Sequence, residues 1–412
     1  VLIDPFSLFF KQVFYVSCGL GILVSMKYLD IEDLQRGEYY SLMLFATSGM
    51  MLMASAGDLI TLYLGLELMA MSVYILAGFM RKDGRSNEAG IKYLLLGAFS
   101  SGIMRYGMSL LYGISGMTNL NDILAFLRTA DLSNPVLFLS MVMLMVSFGF
   151  KVAAAPFHMW VPDVYEGAPT SVTAFMSAGP KIAGFAVLLR MFLHVLDPIR
   201  PDSSLLLALL AVLTMATGNI LAISQTSIKR MLAYSSIAHA GYALVGLAAG
   251  GPDGAASVML YVLIYAIMNM GAFGVVIMLR KAGIRGEEIA DFAGLGKTNK
   301  TAAFLMLIFL LSLTGIPPMA GFVGKFYIFK SAVQAGLIWL AVAGVLFSAV
   351  SAYFYLRVIM LMYMYDPKED ISLVQSPALA FALTVSVTAV LVIGVYPAPV
   401  LDFARASIAG LF

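Results

Sequence analysis

Residues 301–331 read TAAFLMLIFLLSLTGIPPMAGFVGKFYIFKS, an apolar stretch that is interrupted by two adjacent prolines between glycines. A membrane-spanning helix needs about 20 predominantly apolar residues, and this stretch exceeds that length. Proline removes a backbone donor and clashes with the preceding turn, so we expect the helix to break at Pro317 and Pro318. Backbone groups freed at membrane depth are tolerated only inside protein or beside a water-filled cavity. The stretch therefore predicts a broken helix in the interior of a membrane protein.

A second apolar stretch, residues 134–160, is interrupted in the same manner. Its sequence KVAAAPFH, from Lys151 to His158, places Pro156 inside apolar sequence. The composition agrees with a membrane location, because the 412 residues are 61% hydrophobic and 12% charged. A soluble domain typically carries about 25% charged residues. The chain is therefore predicted to be an all-α polytopic membrane protein.

A 20-residue window gives about twelve candidate membrane spans. One short amphipathic segment, residues 119–131, is expected to lie at the membrane interface, and the remaining linkers are short. The predicted spans are 5–28, 39–57, 59–80, 90–113, 134–160, 169–196, 203–224, 228–250, 255–280, 301–331, 335–364 and 375–397.

The two broken spans occupy matching positions in the span order. Spans two to six and spans seven to eleven form two groups of five, and the broken helix is the fourth of each group. Because five is odd, the second group must cross the membrane in the opposite sense, which is the pattern of an inverted-repeat transporter. The alternative is two unrelated proline kinks. We divide the chain into an N-terminal helix (1–38), a first repeat (39–196), a second repeat (203–365) and a C-terminal helix (375–412).

The distribution of basic residues predicts the orientation. Few lie on the side reached by even-numbered spans: Arg128, Arg200, Lys330 and Arg405. Most lie in loops after odd-numbered spans: Lys27, Arg36, Arg81, Lys82, Arg85, Lys229, Arg230, Arg280, Lys281, Arg285, Lys297, Lys300 and Lys368. Cytoplasmic loops carry the excess of Lys and Arg. We therefore expect the odd-numbered spans to exit into the cytoplasm and both ends of the chain to lie on the outer side.

Charge and cysteine content exclude several classes of function. The net charge of +2, without a basic patch, gives no indication of a nucleic-acid partner. A single cysteine, Cys18, excludes a disulfide framework and any cysteine-based metal or iron–sulfur site within the chain. Electron carriers, if the function needs them, are expected on other polypeptides. The sequence begins at Val1 rather than Met, and we expect an N-terminal segment to be missing.

Four ionisable residues, Glu67, Lys151, Lys181 and Lys325, lie within long apolar sequence. A charge near the bilayer centre costs roughly 2.5–3.5 kcal/mol on insertion scales, and such residues usually belong to an ion or proton pathway. A carboxylate at this depth should pair with a cation or take up a proton, so a lysine is the expected partner of Glu67. The alternatives are a structural ion pair for Glu67 and snorkelling of the lysines to the interface. Snorkelling is least plausible for Lys181, which lies in mid-span.

Three further residues are weaker candidates for a proton relay. His158 and His239 titrate near neutrality, although a lone histidine is often a packing residue. Lys229 either belongs to a cytoplasmic loop or lies at a channel mouth. Asp163 and Glu166 follow the first break and are expected to cap or gate it, and Asp58 is expected to cap the third helix.

Several segments resemble the antiporter-like subunits of respiratory complex I. The resemblance is strongest in residues 150–170, FKVAAAPFHMWVPDVYEGAPT. It extends to GDLITLYLGLEL (57–68), EAGIKYLLLG (88–97), KRMLAYSSIAHAG (229–241) and LTGIPPMAGFVGK (313–325), and so covers essentially the whole chain. The family has fourteen spans, which implies that about two N-terminal helices are absent here.

The resemblance implies one proton channel in a subunit of NADH-quinone oxidoreductase. It places the family's glutamate on Glu67, the paired lysine on Lys151, the central lysine on Lys181 and the exit-side lysine on Lys325. It implies no cofactor or metal in this chain, with FMN and iron–sulfur clusters on partner subunits. The expected partners are the other membrane and peripheral subunits and the lipid bilayer, with NADH and quinone as substrates of the whole complex. The implied location is the bacterial inner membrane.

One residue departs from the family pattern. Arg105 lies in GIMRYGM (102–108), where similar chains carry apolar residues. Two alternatives to proton translocation also remain. The first is a subunit of a multisubunit sodium/proton antiporter, against which residues 161–170 and the double-proline break argue. The second is a structural membrane scaffold whose buried charges hold helices together.

Overall fold

The computed structural model describes residues 1–280, 286–367, 376–408 and 411, and helices dominate all of these ranges. The first half contains α1 Pro5–Ile31, α2 Gly37–Ala54, α3 Leu59–Ala77, α4 Gly84–Ser115, α5 Leu120–Leu127, α6 Pro135–Val152, α7 Trp160–Gly167 and α8 Thr170–Arg190. The second half contains α9 Arg200–Ile223, α10 Ile228–Ala249, α11 Gly251–Met278, α12 Leu295–Thr298, α13 Lys300–Thr314, α14 Ala320–Gln334, α15 Ile338–Met364, α16 Pro377–Val395 and α17 Ala398–Ser407.

Ten helices in the described part of the chain are long and apolar enough to cross a membrane. The predicted all-α polytopic membrane class is confirmed. The number of twelve spans stays a prediction, because α2 is not among the ten and the tenth predicted span is divided into α13 and α14. The basic residues Lys281, Arg285 and Lys368 lie outside the described residues.

The interior of the bundle is formed by α8, α10 and α11. Every residue of α8 is buried, and nearly all of α10 and α11 are buried as well. A helix that is apolar all round is stable when protein surrounds it on every side. The mid-span lysine of α8 therefore lies at the centre of the protein and not at a lipid surface.

The first break separates α6 from α7. Ala153 ends α6 in the left-handed conformation, with φ of 65°. The amides of Ala153 and Ala154 close the turn onto Phe150 O and Gly149 O. Trp160 Nε1 also donates to the Phe150 carbonyl, at 3.0 Å. The Ala155 amide donates to Thr214 Oγ1 of α9 at 3.0 Å, so neighbouring backbone, one indole and one hydroxyl satisfy backbone groups of this break.

The second break separates α13 from α14 and is satisfied differently. Gly315 ends α13 with φ of +90°, a conformation that favours glycine. The start of α14 returns close to the end of α13, where Ser312 Oγ accepts a hydrogen bond from the Gly321 amide at 3.0 Å. The last carbonyls of α13 remain available for a side-chain donor. That donor is a lysine of α14, described below.

Two short backbone bridges lie at similar places in the two predicted repeats. Asp58, the N-cap of α3, bridges to Asn119 ahead of α5, and Ser227, the N-cap of α10, bridges to Glu288. The Asp58 side chain accepts from the Ile60 amide at 2.7 Å, which confirms its predicted capping role. The inverted repeat and the boundaries 1–38, 39–196, 203–365 and 375–412 stay predictions.

Candidate functional site

The four predicted intramembrane charges differ in their burial. Lys151, Lys181 and Lys325 are 4%, 3% and 4% exposed, whereas Glu67 is half-buried on α3. The lysines come from α6, α8 and α14, which all pack into the interior. No snorkelling to the surface is observed for these three side chains. Each ammonium instead has a specific polar partner inside the protein.

Lys151 and Glu67 are close enough for an electrostatic interaction, but their side chains do not form an ion pair. Lys151 Nζ donates to the Tyr74 hydroxyl at 3.2 Å. The Glu67 carboxylate is within electrostatic reach of this ammonium, yet no ion pair within 4.0 Å joins them among the described residues. The Oε1 atom of Glu67 is buried and has no hydrogen-bond partner in this part of the chain. The pairing of these residues stays a prediction, with Tyr74 next to both.

Lys181 is held by α10. Its Nζ donates to the carbonyl oxygen of Ser236 at 2.9 Å and to the hydroxyl of the same residue at 2.5 Å. The ammonium also lies 5.7 Å from the centroid of the Tyr165 ring. A cation over an aromatic face is attracted by the ring quadrupole. Within the described ranges, neutral oxygens and one ring, and no carboxylate, therefore form the immediate surroundings of this lysine.

His239 is buried in α10 with a tyrosine hydroxyl at each ring nitrogen. Its Nδ1 is 2.6 Å from the Tyr261 hydroxyl and its Nε2 is 3.2 Å from the Tyr355 hydroxyl. The Tyr355 hydroxyl also contacts Ser235 Oγ, on the residue next to the partner of Lys181. The imidazole is within electrostatic reach of both Lys181 and Lys325. His239 is therefore near two of the three lysines, and its role as a relay residue stays a prediction.

Lys325 occupies the second break. Its Nζ donates to the carbonyl oxygens of Leu313 at 3.1 Å and Thr314 at 2.8 Å, and to Ser348 Oγ at 2.8 Å. The first two acceptors are the carbonyls that the end of α13 leaves unpaired. The Tyr242 ring centroid lies 4.7 Å from the ammonium. The Ser348 hydroxyl also donates to the Thr314 carbonyl, at 3.3 Å, so a lysine and a serine together satisfy the broken backbone at this point.

The remaining two relay candidates differ in their connections. Lys229 is 1% exposed at the start of α10, where its Nζ donates to Glu166 O and Ala168 O, both at 2.8 Å, and lies 3.4 Å from Glu287 Oε1. It joins the end of α7 to the loop after α11 and is not in contact with Lys181. His158 is half-buried in the first break, and its Nδ1 has no hydrogen-bond partner among the described residues. Its relay role stays a prediction without a connecting contact.

Asp163 and Glu166 bind an arginine. The Arg230 guanidinium donates to Asp163 Oδ1 at 2.9 Å and to Glu166 Oε2 at 2.7 Å, and Lys92 donates to Asp163 Oδ2 at 2.9 Å. The two carboxylates therefore join α7 to α10 and α4. A helix-capping contact is not among their hydrogen bonds, while gating stays a prediction.

Several polar residues near the lysines were missed in the sequence. Tyr74, Ser236, Tyr261 and Tyr355 each contribute a hydroxyl to a lysine or to His239. Serine and tyrosine are common in apolar helices, and their spacing gave no signal without the three-dimensional arrangement. Among the described residues, no group of three or more His, Cys, Asp or Glu side chains could hold a metal ion.

Comparison with known proteins gives consistent matches. The family model described as NADH:quinone oxidoreductase/Mrp antiporter, TM, matches residues 56–351. The chain is 51% identical to NADH-quinone oxidoreductase subunit N of Trichlorobacter lovleyi, over 99% of this chain and 84% of that protein. It is 50% identical to subunit N 2 of Rhizobium meliloti, over 99% of this chain and 85% of that protein. A chain of Thermus thermophilus respiratory complex I matches with a TM-score of 0.82 and 33% identity, over 97% of this chain and 86% of that one.

Proposed function

The chain belongs to the NADH:quinone oxidoreductase/Mrp antiporter membrane family, and from this premise we propose that it is the proton-translocating subunit N of a bacterial NADH-quinone oxidoreductase. The support is the identity of about half of all residues with two proteins of that name, over nearly the full length of this chain. NADH oxidation and quinone reduction then take place on partner subunits that carry FMN and iron–sulfur clusters. This chain contributes the membrane pathway.

The proposed pathway runs from Glu67 through Lys151, Lys181 and His239 to Lys325. The observation that supports it is that the two ring nitrogens of His239 face separate tyrosine hydroxyls, while the imidazole is within electrostatic reach of both Lys181 and Lys325. A neutral imidazole can accept a proton on one nitrogen and release one from the other. Such a residue can pass a proton between two lysines that do not touch.

The step from Lys151 to Lys181 is supported by the packing of α6 on α8. A Cβ atom placed on Gly184 of α8 would lie 3.7 Å from Lys151 Cβ, so the two backbones are in close approach. Lys181 precedes Gly184 by three residues and lies on the same helical face. The two lysines thus lie on helices in close approach, with the Lys151 ammonium bound to Tyr74 of α3 and the Lys181 ammonium bound to Ser236 of α10. In the proposed step, side-chain movement or bridging water connects the two ammonium groups.

The proposed driving step is a change in the distance between Glu67 and Lys151. Two opposite charges interact by about 2–4 kcal/mol at separations of about 4–8 Å when the effective dielectric constant is about 20. A few ångströms of movement therefore change the proton affinity of Lys151 by about tenfold or more, since 1.36 kcal/mol corresponds to tenfold. Events on partner subunits are proposed to cause this movement.

The proposed orientation follows the basic residues. The protein is a multi-pass protein of the bacterial inner membrane, with both ends of this chain on the periplasmic side. The end of the bundle that contains Lys229, Arg230 and Arg280 then faces the cytoplasm. In this orientation we propose that Lys325 belongs to the outer half of the pathway.

The test is Lys181→Ala in the assembled enzyme, with Lys330→Ala as the matched control because Lys330 is an exposed lysine. NADH oxidation and proton pumping are measured together in proteoliposomes. We expect Lys181→Ala to lower protons pumped per electron severalfold and Lys330→Ala to behave as the parent enzyme. Full NADH oxidation with unchanged pumping in Lys181→Ala contradicts the assignment.

Two other outcomes identify the alternative functions. A scaffold role predicts that Glu67→Gln lowers the amount of assembled complex and leaves the proton stoichiometry of the remainder unchanged. A sodium/proton antiporter subunit predicts sodium-dependent transport that requires neither NADH nor quinone. Measuring assembly, stoichiometry and sodium dependence on the same preparations separates the three functions.

A further inference from the structure

The ammonium of Lys325 lies over an aromatic ring. The centroid of the Tyr242 ring is 4.7 Å from Lys325 Nζ, which is closer than the 5.6 Å and 5.7 Å between the other two buried lysines and their nearest rings. Within the described ranges, the hydrogen-bond acceptors of this ammonium are three neutral oxygens. A ring face attracts a cation through its quadrupole, and the attraction is larger where water is excluded. The Tyr242 ring therefore takes the place that a carboxylate has in an ion pair.

The same ring contacts the histidine of the proposed pathway. His239 precedes Tyr242 by three residues, so both side chains lie on one face of α10. Their ring centroids are 5.7 Å apart with an interplanar angle of 80°, an edge-to-face arrangement that aromatic pairs favour. Phe329 of α14 packs on Tyr242 in a similar way, at 6.2 Å and 78°. One fully buried ring is thus in contact with both His239 and Lys325.

An asparagine of α9 binds the outer end of this ring. Asn219 is fully buried, and its Nδ2 donates to the Tyr242 hydroxyl at 3.2 Å and to the Met215 carbonyl oxygen at 2.8 Å. The hydroxyls of Ser348 and Ser351 are near the same tyrosine hydroxyl. The hydroxyl is the part of the ring that lies farthest from the backbone. A hydrogen bond at that point therefore restricts the swing of the whole ring.

Two glycines bring α9 and α10 close enough for this hydrogen bond. Gly218 precedes Asn219, and a Cβ atom added at Gly218 would overlap the backbone of α10. Gly241 precedes Tyr242, and a Cβ atom added there would lie 2.7 Å from the Met215 amide nitrogen of α9. Small residues let membrane helices approach closely, and asparagine side chains then form hydrogen bonds across the interface. The short Asn219 side chain reaches the tyrosine because of this approach.

We propose that Tyr242 is a positioning residue that holds the Lys325 ammonium by its ring face beside His239, and that Asn219 fixes this ring through its amide. The proposal rests on the proposed proton-translocating function. Neither residue has to gain or lose a proton in this role. Tyr242 acts on the step between His239 and Lys325 by keeping the ammonium in one place, and Asn219 acts on that step through Tyr242.

The deciding experiment changes the electrons of the ring and leaves its size nearly unchanged. Phenylalanine and its mono-, di- and trifluorinated derivatives are incorporated at position 242, and protons pumped per electron are measured for the assembled complex in proteoliposomes. Fluorine withdraws electron density from the ring face, so the attraction for a cation weakens with each added fluorine. We expect the ratio to fall stepwise, by at least twofold from Tyr242→Phe to the trifluorinated ring. Four equal ratios indicate a ring that only fills space and overturn the proposal.

A second experiment tests the role of the asparagine. Asn219→Leu removes the amide at similar side-chain size and should lower the proton-to-electron ratio to about that of Tyr242→Phe. The double variant should lower it by less than the product of the two single effects, because both substitutions remove the same hydrogen bond. Thr217→Val is the matched control on α9, since the Thr217 hydroxyl binds the Leu213 carbonyl of its own helix, at 2.8 Å. It should pump with the parent ratio.

The outcomes are separable after native gels confirm assembly. A parent ratio in Asn219→Leu, or independent effects of the two substitutions, overturns the role of Asn219. If Asn219→Leu does not assemble, the fluorinated series decides, because it keeps the amide in place. Loss of pumping in Lys181→Ala together with a flat fluorinated series refutes the role of Tyr242 and leaves the proposed function intact. Unchanged pumping in Lys181→Ala contradicts the proposed function itself.

Discussion

The Tyr74 hydroxyl is expected to control the charge of Lys151. Among the described residues it is the one hydrogen-bond partner of the Lys151 ammonium, at 3.2 Å. Both groups are buried, so water does not readily replace the lost partner. A hydrogen bond to a charged group contributes about 1.5–3 kcal/mol. Tyr74→Phe should therefore lower the equilibrium ratio of charged to neutral Lys151 by about 10-fold to 150-fold, since 1.36 kcal/mol corresponds to tenfold.

A second substitution reaches the same hydroxyl from another helix. Gly97 of α4 faces Tyr74, and a Cβ atom added at Gly97 would lie 2.5 Å from Tyr74 Cζ and closer still to the hydroxyl oxygen. Gly97→Ala must therefore displace the hydroxyl without changing any polar group. Gly113→Ala is the matched control, because it lies in the same helix and its Cβ would meet no atom within 4 Å.

The assay measures protons pumped per electron and NADH oxidation in proteoliposomes, after blue-native gels confirm assembly. Tyr74→Phe and Gly97→Ala should both lower the proton-to-electron ratio severalfold, while Gly113→Ala should match the parent. The reasoning is refuted if both variants assemble and pump with the parent ratio. Loss of pumping in Tyr74→Phe alone would show that Gly97→Ala leaves the hydroxyl in place, and would contradict the steric argument.

Two further predictions concern stability. Gly321→Ala should destabilise the second break by about 1–3 kcal/mol or more, because the added Cβ would overlap the Ser312 carbonyl oxygen and lie 2.7 Å from its carbon; a thermal-inactivation midpoint equal to that of the parent would contradict this. Partial burial raises the pKa of Asp4, but the Arg190 guanidinium and hydrogen bonds from the first turn of α1 bring it below its usual value. The stabilisation from Asp4 is therefore present above the unfolded pKa, about 3.9, and is lost as pH falls through the lower folded pKa. Asp4→Asn should lower the free energy of unfolding by about 3 kcal/mol at neutral pH, because it leaves the buried Arg190 guanidinium without its carboxylate. Labelling of the buried Cys18 thiol, followed by mass spectrometry, should then detect faster exposure of that thiol than in the parent protein.

The parts of the fold that follow from hydrophobic length and proline chemistry were predictable. The breaks near Pro156 and Pro317 are confirmed between α6 and α7 and between α13 and α14. Residues 119–131 were expected to form an amphipathic segment, and α5 occupies Leu120–Leu127. These features are local, because a proline or an apolar period acts on the residues next to it in sequence.

The partners of the lysines were not predictable. Lys181 binds an oxygen pair of Ser236, and Lys325 binds carbonyls at the end of α13. Any carbonyl or hydroxyl in the chain could serve as such an acceptor, so residue type carries little information. Glu67 was expected to pair with Lys151, but the side chain in contact with that lysine is Tyr74. Which groups meet depends on how the helices pack, and this is decided by many weak contacts at once.

The arrangement of charges gives a physical reason for stepwise proton movement. Glu67 lies nine residues after the N-cap Asp58, and the residue nine positions after the N-cap Ser227 is Ser236, the partner of Lys181. In the predicted repeat, the second half has a hydroxyl where the first half has a carboxylate, and the proposed pathway contains three buried lysines against one glutamate. Two ammonium groups about 10 Å apart repel by about 1.7 kcal/mol at an effective dielectric constant of about 20. A proton that arrives on one lysine therefore weakens the hold of the next lysine on its own proton by more than tenfold. This repulsion favours transfer along the chain of lysines without requiring a carboxylate in the second half.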